Sequence, residues 1–311
     1  MILRCLPLAA ALLLALPANV HGQSVLEHGV GVFETVWTDL RHGFGDIWHV
    51  WTSPFHASAS DWAGAGMTVA AAGAATPLDD NFDGWLATHG HTAVVRAFDP
   101  VREAGVQDFG REGGFEVGLA DIGSGHKATR FSGILYLGGL VIGSQELRDA
   151  AVGCAASIQG NALPRAILYD LVGRARPAVA EGDQYRFTIP GDGDSWDDNS
   201  FFGGHGANAM ACATFWNQRF DLGYAEPLLW ALGVGVGVGR VLDRHHWISD
   251  AIVGTVFGYA AGRTVAARSL RRAAARDAGD PSGDDDHGLL PGEPHVSRAA
   301  DGLRLGWTLR F

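Results

Sequence analysis

Strand signals are nearly absent from this chain; apolar residues recur instead at helical spacing in one segment after another. The pattern predicts helices over Trp62–Pro77, Asp83–Phe98, Arg130–Gln145, Asp149–Val172, Gly206–Arg219, Pro227–Leu242 and Ser249–Arg272. A chain of this kind can bury its apolar stripes only by packing helix on helix, so the fold class is all-α, a helical bundle. The uncharged runs within these helices are short: Trp62 to Leu78, at 17 residues, is the longest, against about 20 for a clean membrane span. Hydrophobic residues make up 47% of the chain, charged ones 18%, and there are 44 glycines. Small-residue faces such as Gly233, Gly235, Gly237 and Gly239 permit close helix contact in lipid or in a tight soluble bundle, so membrane association stays open.

Upstream of the bundle, Arg4, the apolar run Leu6–Leu16 and the small residues up to Gly22 read as a secretory signal over residues 1–22, cleaved near Gly22-Gln23. Export to the periplasm or cell envelope follows. Cys5 would leave with the signal, and Cys154 and Cys212 remain either as a disulfide or as buried free thiols. Residues 23–57 form an N-terminal amphipathic segment in which Phe33, Val36, Trp37, Leu40, Phe44, Ile47, Trp48 and Trp51 make a helical stripe ending at Ser53-Pro54. Its polar face is not strongly basic, so the stripe is assigned to packing on the core rather than to a membrane surface. The helical domain takes in residues 58–275, with its core at 131–266, and is interrupted by Gly-rich or acidic loops at Pro100–Gly125 and Ala178–Ser200. From 276 to 311 an acidic linker leads to Leu303, Leu305, Trp307, Leu309 and Phe311 at period two, which predicts a small β-hairpin.

The net charge of −11 excludes a broad cationic surface for nucleic acid, so any anion must be bound locally. Three separated clusters carry groups suited to that: Gly173-Arg174-Ala175-Arg176-Pro177; Ser200-Phe201-Phe202-Gly203-Gly204-His205; and Gly239-Arg240 followed by His246 and Asp250. A phosphoryl group in transfer needs guanidinium donors and backbone amides around its oxygens, which Arg176, Arg240, Gly203 and Gly204 can provide at a helix start. His246 can attack in line through one ring nitrogen if the other donates to a carboxylate, and Asp250 lies one helical turn on. His205 can protonate the leaving oxygen. Arg240 and His246 share no helix face, so Asp243-Arg244 must turn the chain between two helices. His245 reads as a capping or surface histidine. Binding of a metal by His205, His245, His246 and Asp250 is opposed by the neighbouring arginines, and neither metal nor cofactor is expected.

In this order the clusters resemble the three-part signature of the superfamily that unites type 2 phosphatidic acid phosphatases, bacterial acid phosphatases and vanadium haloperoxidases. The resemblance covers about Phe131 to Arg263. It implies a helical phosphatase with a phosphohistidine on His246, His205 as acid and base, and Asp250 as partner of His246. The substrate would be a phosphorylated small molecule or lipid. Three positions depart from the signature. Tyr169 stands where the pattern has Lys, Phe202-Gly203 where it has Pro-Ser, and Gly239 where it has Ser. A phenol donates one hydrogen bond but brings no charge, and either Arg165, one turn upstream, or Arg174 could supply a replacement. The departures leave two other readings in view, a catalytically impaired phosphate- or lipid-binding envelope protein and a vanadium haloperoxidase.

Overall fold

The computed structural model describes residues 22–90, 123–190, 197–279, 293–299 and 302–308. Residues 1–21 of the expected signal, most of the loop at Pro100–Gly125, the centre of the acidic loop and most of the linker lie outside these. By compactness the chain divides into Met1–Thr38 with Pro291–Phe311, and Asp39–Leu290. In the first unit the C-terminal segment forms an antiparallel hairpin, β1 (Glu293–Ala299) and β2 (Gly302–Thr308), registered from Glu293 opposite Thr308 to Ala299 opposite Gly302. The alternating Leu303, Leu305 and Trp307 lie on β2, while Leu309 and Phe311 fall outside the described residues.

Helix α1 (Gly22–Thr52) runs from the first unit into the second, where α2 (Ala59–His89), α3 (Gly125–Ile142), α4 (Gln145–Val172), the one-turn α5 (Pro177–Ala180), α6 (Gly204–Arg219), α7 (Glu226–Leu242) and α8 (Ile248–Asp277) follow. The two helices expected on either side of Pro77 are one continuous α2, capped at its start by Ser58 and Asp61. Proline removes one backbone donor, yet α2 continues past it because Asp79 and Asp83, just beyond, are buried and ion-paired to Arg174 and Arg244.

Helix α6 is the axis of the bundle, buried along nearly its whole length between α4, α7 and α8. Glycines set those contacts. A Cβ built on Gly254, Gly258 or Gly262 of α8 would lie 2.6, 2.1 and 2.2 Å from the carbonyl oxygens of Gly203, Ala207 and Ala211, so the two backbones touch over three successive turns. On the opposite side of α6 a Cβ on Gly206 would sit 2.9 Å from the Cα of Gly237, and one on Gly233 would sit 3.1 Å from that of Met210. A disulfide between Cys154 and Cys212 ties α4 to α6.

The apolar stripe of α1 is divided: Ile47 packs against the core as expected, while other members of the stripe turn outward. Leu40, Phe44 and Trp48 are 48%, 56% and 42% exposed, whereas Asp39, His42, Gly43 and Asp46 are buried. The reason is charge: Asp46 receives Arg268 and Arg272 of α8, and Asp39 receives Arg148 of α4 and the Tyr136 hydroxyl. A buried carboxylate must be paired, and these partners lie inside the bundle. Other helices repeat the distribution, with Trp62, Met67 and Val69 of α2, Leu137 and Ile142 of α3, and Leu228 of α7 exposed while glycine, alanine and paired ions fill the interior.

Closest backbone approach predicts where the bundle is least tolerant. Gly258→Ala should lower unfolding stability by about 1–3 kcal/mol and Gly258→Val by more, whereas Gly73→Ala on α2, with open space around it, should be neutral or stabilising. Denaturant midpoints of the three variants check this.

Candidate active site

The three clusters of the sequence meet at one end of the bundle, because each lies at a helix boundary there. Gly173, with φ 51°, ends α4 and releases Arg174 to Pro177. Gly203 caps the start of α6, its amide donating to the Asp250 backbone carbonyl at 3.3 Å rather than standing open to an anion as expected, and Gly204 is the first helical residue. The turn expected at Asp243-Arg244 separates α7 from α8, with Arg244 at φ 59° and the His245 and His246 amides both on the Arg240 carbonyl. A left-handed arginine is unfavourable by itself. Its side chain is held by two hydrogen bonds to Asp83, at 2.6 and 2.7 Å, and a third to the Pro177 carbonyl. The Trp247 indole, fully buried, donates to the Ala175 carbonyl at 2.8 Å and so fastens this corner to the first cluster.

Arg174 sits behind the site rather than in it. Its Nη1 donates to Asp250 at 2.6 Å and to the Ser249 hydroxyl at 2.7 Å, its Nη2 donates to Asp79 at 2.9 Å, and Nε and Nη2 share the Gln184 carbonyl. Asp250 is used up by this arrangement. One oxygen takes Arg174, and the other takes the Ser200 hydroxyl at 2.5 Å and the Trp247 amide. The direct His246–Asp250 hydrogen bond expected from their spacing is therefore replaced. His246 Nδ1 lies 2.7 Å from the Ser200 carbonyl, and Asp250 reaches the imidazole only through Ser200.

That contact fixes the ring chemically. A carbonyl only accepts, so Nδ1 carries the proton and Nε2 keeps its lone pair. Burial, then the Arg176 and Arg240 guanidiniums, hold the His246 pKa well below its ordinary value, and the ring is neutral at pH 7. Its Cδ2, bonded to Nε2, would be 3.7 Å from a Cβ on Gly203, which turns the free nitrogen towards the start of α6. Arg176 is anchored through Nε and Nη2 to the Asn199 side-chain oxygen, at 2.9 and 2.6 Å; burial lowers its pKa to about 10, so it stays charged. Arg240 is buried, and its Nη2 lies 3.2 Å from His205 Nδ1 and 3.4 Å from Nε2.

Tyr169 belongs to the same group of side chains: burial raises the pKa of its phenol, against the pull of Arg165, Arg176 and Arg240. His245, expected as a capping or surface histidine, is half-buried at the turn between α7 and α8. Its Nδ1 is 3.0 Å from the Asp243 carbonyl, and burial followed by Arg240 and Arg176 depresses its pKa to about 3. Among the described residues no three His, Cys, Asp or Glu side chains gather as metal ligands.

This geometry agrees with the one positive comparison, in which the PAP2 superfamily model matches residues 150–273. Residues 150–273 form a PAP2 superfamily domain. Neither the curated proteins nor the solved structures provide a significant match. PAP2 membership supports phosphatase activity and a phosphate-ester substrate in general terms. All the candidate residues of the three clusters fall inside the PAP2 match. Asp79 and Asp83, which brace Arg174 and the Arg244 corner, lie outside it on α2, and sequence reasoning missed them. Their only signal was their position shortly after the uncharged run Trp62–Leu78.

Three depressed histidines make stability depend on pH in a defined direction. His246, His245 (about 3) and His49 (about 4) stay neutral when folded but take up protons near pH 6.5 when unfolded. The unfolded chain therefore binds more protons below 6.5, and stability present above that pH is lost as pH falls towards about 4. The thermal midpoint should fall steadily between pH 7 and 5, and the fall should be shallower in His245→Gln.

Proposed function

We propose that the PAP2 domain hydrolyses phosphate esters through a phosphohistidine on His246. In this reading the ester's phosphate lies against the Gly204 amide at the start of α6, with Arg176 and Arg240 on its equatorial oxygens. The His246 Nε2 lone pair attacks phosphorus, the bond from phosphorus to the leaving oxygen breaks, and His205, entering as the imidazolium, gives that oxygen a proton and becomes neutral. The positive charge that develops on His246 is taken up by the Ser200 carbonyl, whose residue is held in turn by the Asp250 carboxylate. Water then gives a proton to His205 and attacks phosphorus, the N–P bond breaks, and phosphate leaves with both imidazoles restored.

The observation that carries this reading is the buried neutral imidazole with its proton committed to Ser200 and its free nitrogen aimed at a helix start between two guanidiniums. His246→Ala should lower phosphate release from an aryl phosphate by at least about 10³-fold while leaving the fold intact. Undiminished release would remove the mechanism. The missing hydroxyls at Gly203 and Gly239 favour one other reading, a phosphate-binding protein without turnover, which would show as phosphate binding by calorimetry with no release by the natural chain.

We place the protein in the envelope and in association with a membrane, where a lipid phosphate or pyrophosphate is the suited substrate. The segment Gly223–Leu242 is long and apolar enough to cross a bilayer, the outward apolar faces of the other helices suit lipid, and a disulfide suits an oxidising compartment. After cell fractionation the chain should sediment with membranes and resist a high-salt wash. Recovery in the soluble fraction would contradict this placement.

A further inference from the structure

We propose that Arg165 is a third cationic ligand for the phosphate, supplying from one turn upstream the charge that Tyr169 does not bring. The inference rests on the phosphatase reading of the site. Arg165 and Tyr169 project from the same face of α4, with the guanidinium carbon 6.0 Å from the centre of the phenol ring. Both reach the start of α6. A Cβ built on Gly204 would lie 2.8 Å from Arg165 Nη1, 3.0 Å from its Cδ and 3.4 Å from the Tyr169 hydroxyl. The guanidinium thus lies directly beside Gly204, the glycine whose amide begins α6.

Two features show that this placement serves an anion. The first residue of a 16-residue helix carries the positive end of its dipole, so a cation parked there is repelled unless a negative group joins it. Five buried or half-buried arginines outside the site are matched by carboxylates: Arg148 by Asp39, Arg219 by Asp149, Arg244 by Asp83, and Arg268 and Arg272 by Asp46. Among the described residues Arg165 has no such carboxylate. The rival replacement, Arg174, is excluded because its N–H groups are spent on Asp79, Asp250, Ser249 and Gln184. The superfamily signature has a lysine at position 169, a single point donor. A guanidinium arriving beside Tyr169 offers a planar fork to two phosphate oxygens, and the phenol can add a neutral hydrogen bond.

The test uses the purified full chain and measures inorganic phosphate binding by calorimetry together with kcat/KM on an aryl phosphate. Arg165→Met should weaken phosphate about 10-fold or more, Arg165→Lys should recover part of the loss, and Tyr169→Lys placed in the Arg165→Met background should recover most of it. Tyr169→Lys alone should not improve binding, since it adds a like charge to a place already filled. If Arg165→Met leaves phosphate affinity within about 2-fold of the natural chain, or its loss is not recovered by Tyr169→Lys, the assignment is overturned. Should Arg165→Met fail to fold, the outcome passes to Arg165→Lys and Tyr169→Lys; a clear gain in affinity from Tyr169→Lys alone would show the position to be unfilled and overturn it. A natural chain that neither binds phosphate nor releases it overturns the phosphatase reading and this assignment together. Loss of turnover in His246→Ala combined with full indifference to Arg165 overturns only this one.

Discussion

A single buried cation, Arg174, organises the working end of the molecule. It bridges Asp79 on α2 and Asp250 on α8 at 2.9 and 2.6 Å, with all three groups out of solvent. Desolvating three charges is expensive, and the arrangement is tolerable only because nearly every remaining donor and acceptor is satisfied by Ser249, Ser200, Gln184 or the Trp247 amide. Satisfying them requires α2, the segment after α4, the approach to α6 and the start of α8 to take up one mutual placement. Specific geometry, more than stability, is what such a network provides, and here the geometry produced is that of the site.

The network also decides how His246 is oriented. With Asp250 committed to Arg174 and Ser200, the carboxylate cannot reach the imidazole, and the backbone of Ser200 does so instead. A carbonyl fixes the tautomer as firmly as a carboxylate but carries no full negative charge, so it does not raise the pKa of the ring by ion pairing. Arg176 and Arg240 lower that pKa further. The result is an imidazole that stays neutral and nucleophilic over a wide pH range. Its cationic form is stabilised mainly once an anion has neutralised the two arginines.

Much of this was legible in the residues. Helical periodicity predicted the bundle, and the turn at Asp243-Arg244 followed from the six-residue gap between Arg240 and His246. What escaped has a common physical origin. Periodicity finds an apolar stripe without saying which way it faces, and in α1 the buried face is the one whose carboxylate, Asp46, finds Arg268 and Arg272 more than two hundred residues later. Proline reads as a stop until a tertiary anchor such as Asp79 outweighs it. Spacing of i, i+4 makes His246 and Asp250 look like a pair, but a local rule cannot foresee that Arg174 competes for the carboxylate. The glycines of α8 at 254, 258 and 262 were visible too, yet only their contact with α6 shows that they set the position of Gly203.

The departures from the superfamily signature look different once packing is considered. A Cβ on Gly203 would meet nothing closer than 3.5 Å, so the absence of a hydroxyl there is not forced by crowding. At Gly204 the reverse holds, because Arg165 and Tyr169 occupy the space that any side chain would need. The chain has given up a neutral donor where one would fit and has placed a guanidinium against the neighbouring glycine. A neutral hydrogen bond is worth about 1 kcal/mol net and one to a charged group about 1.5–3. Substituting one cation for a lysine and losing a hydroxyl therefore leaves binding of the ground-state anion nearly intact, and the deficit falls on the transition state, where each donor aimed at developing charge counts most. On the proposed reading, a site altered in this way would hold phosphate well and turn it over slowly.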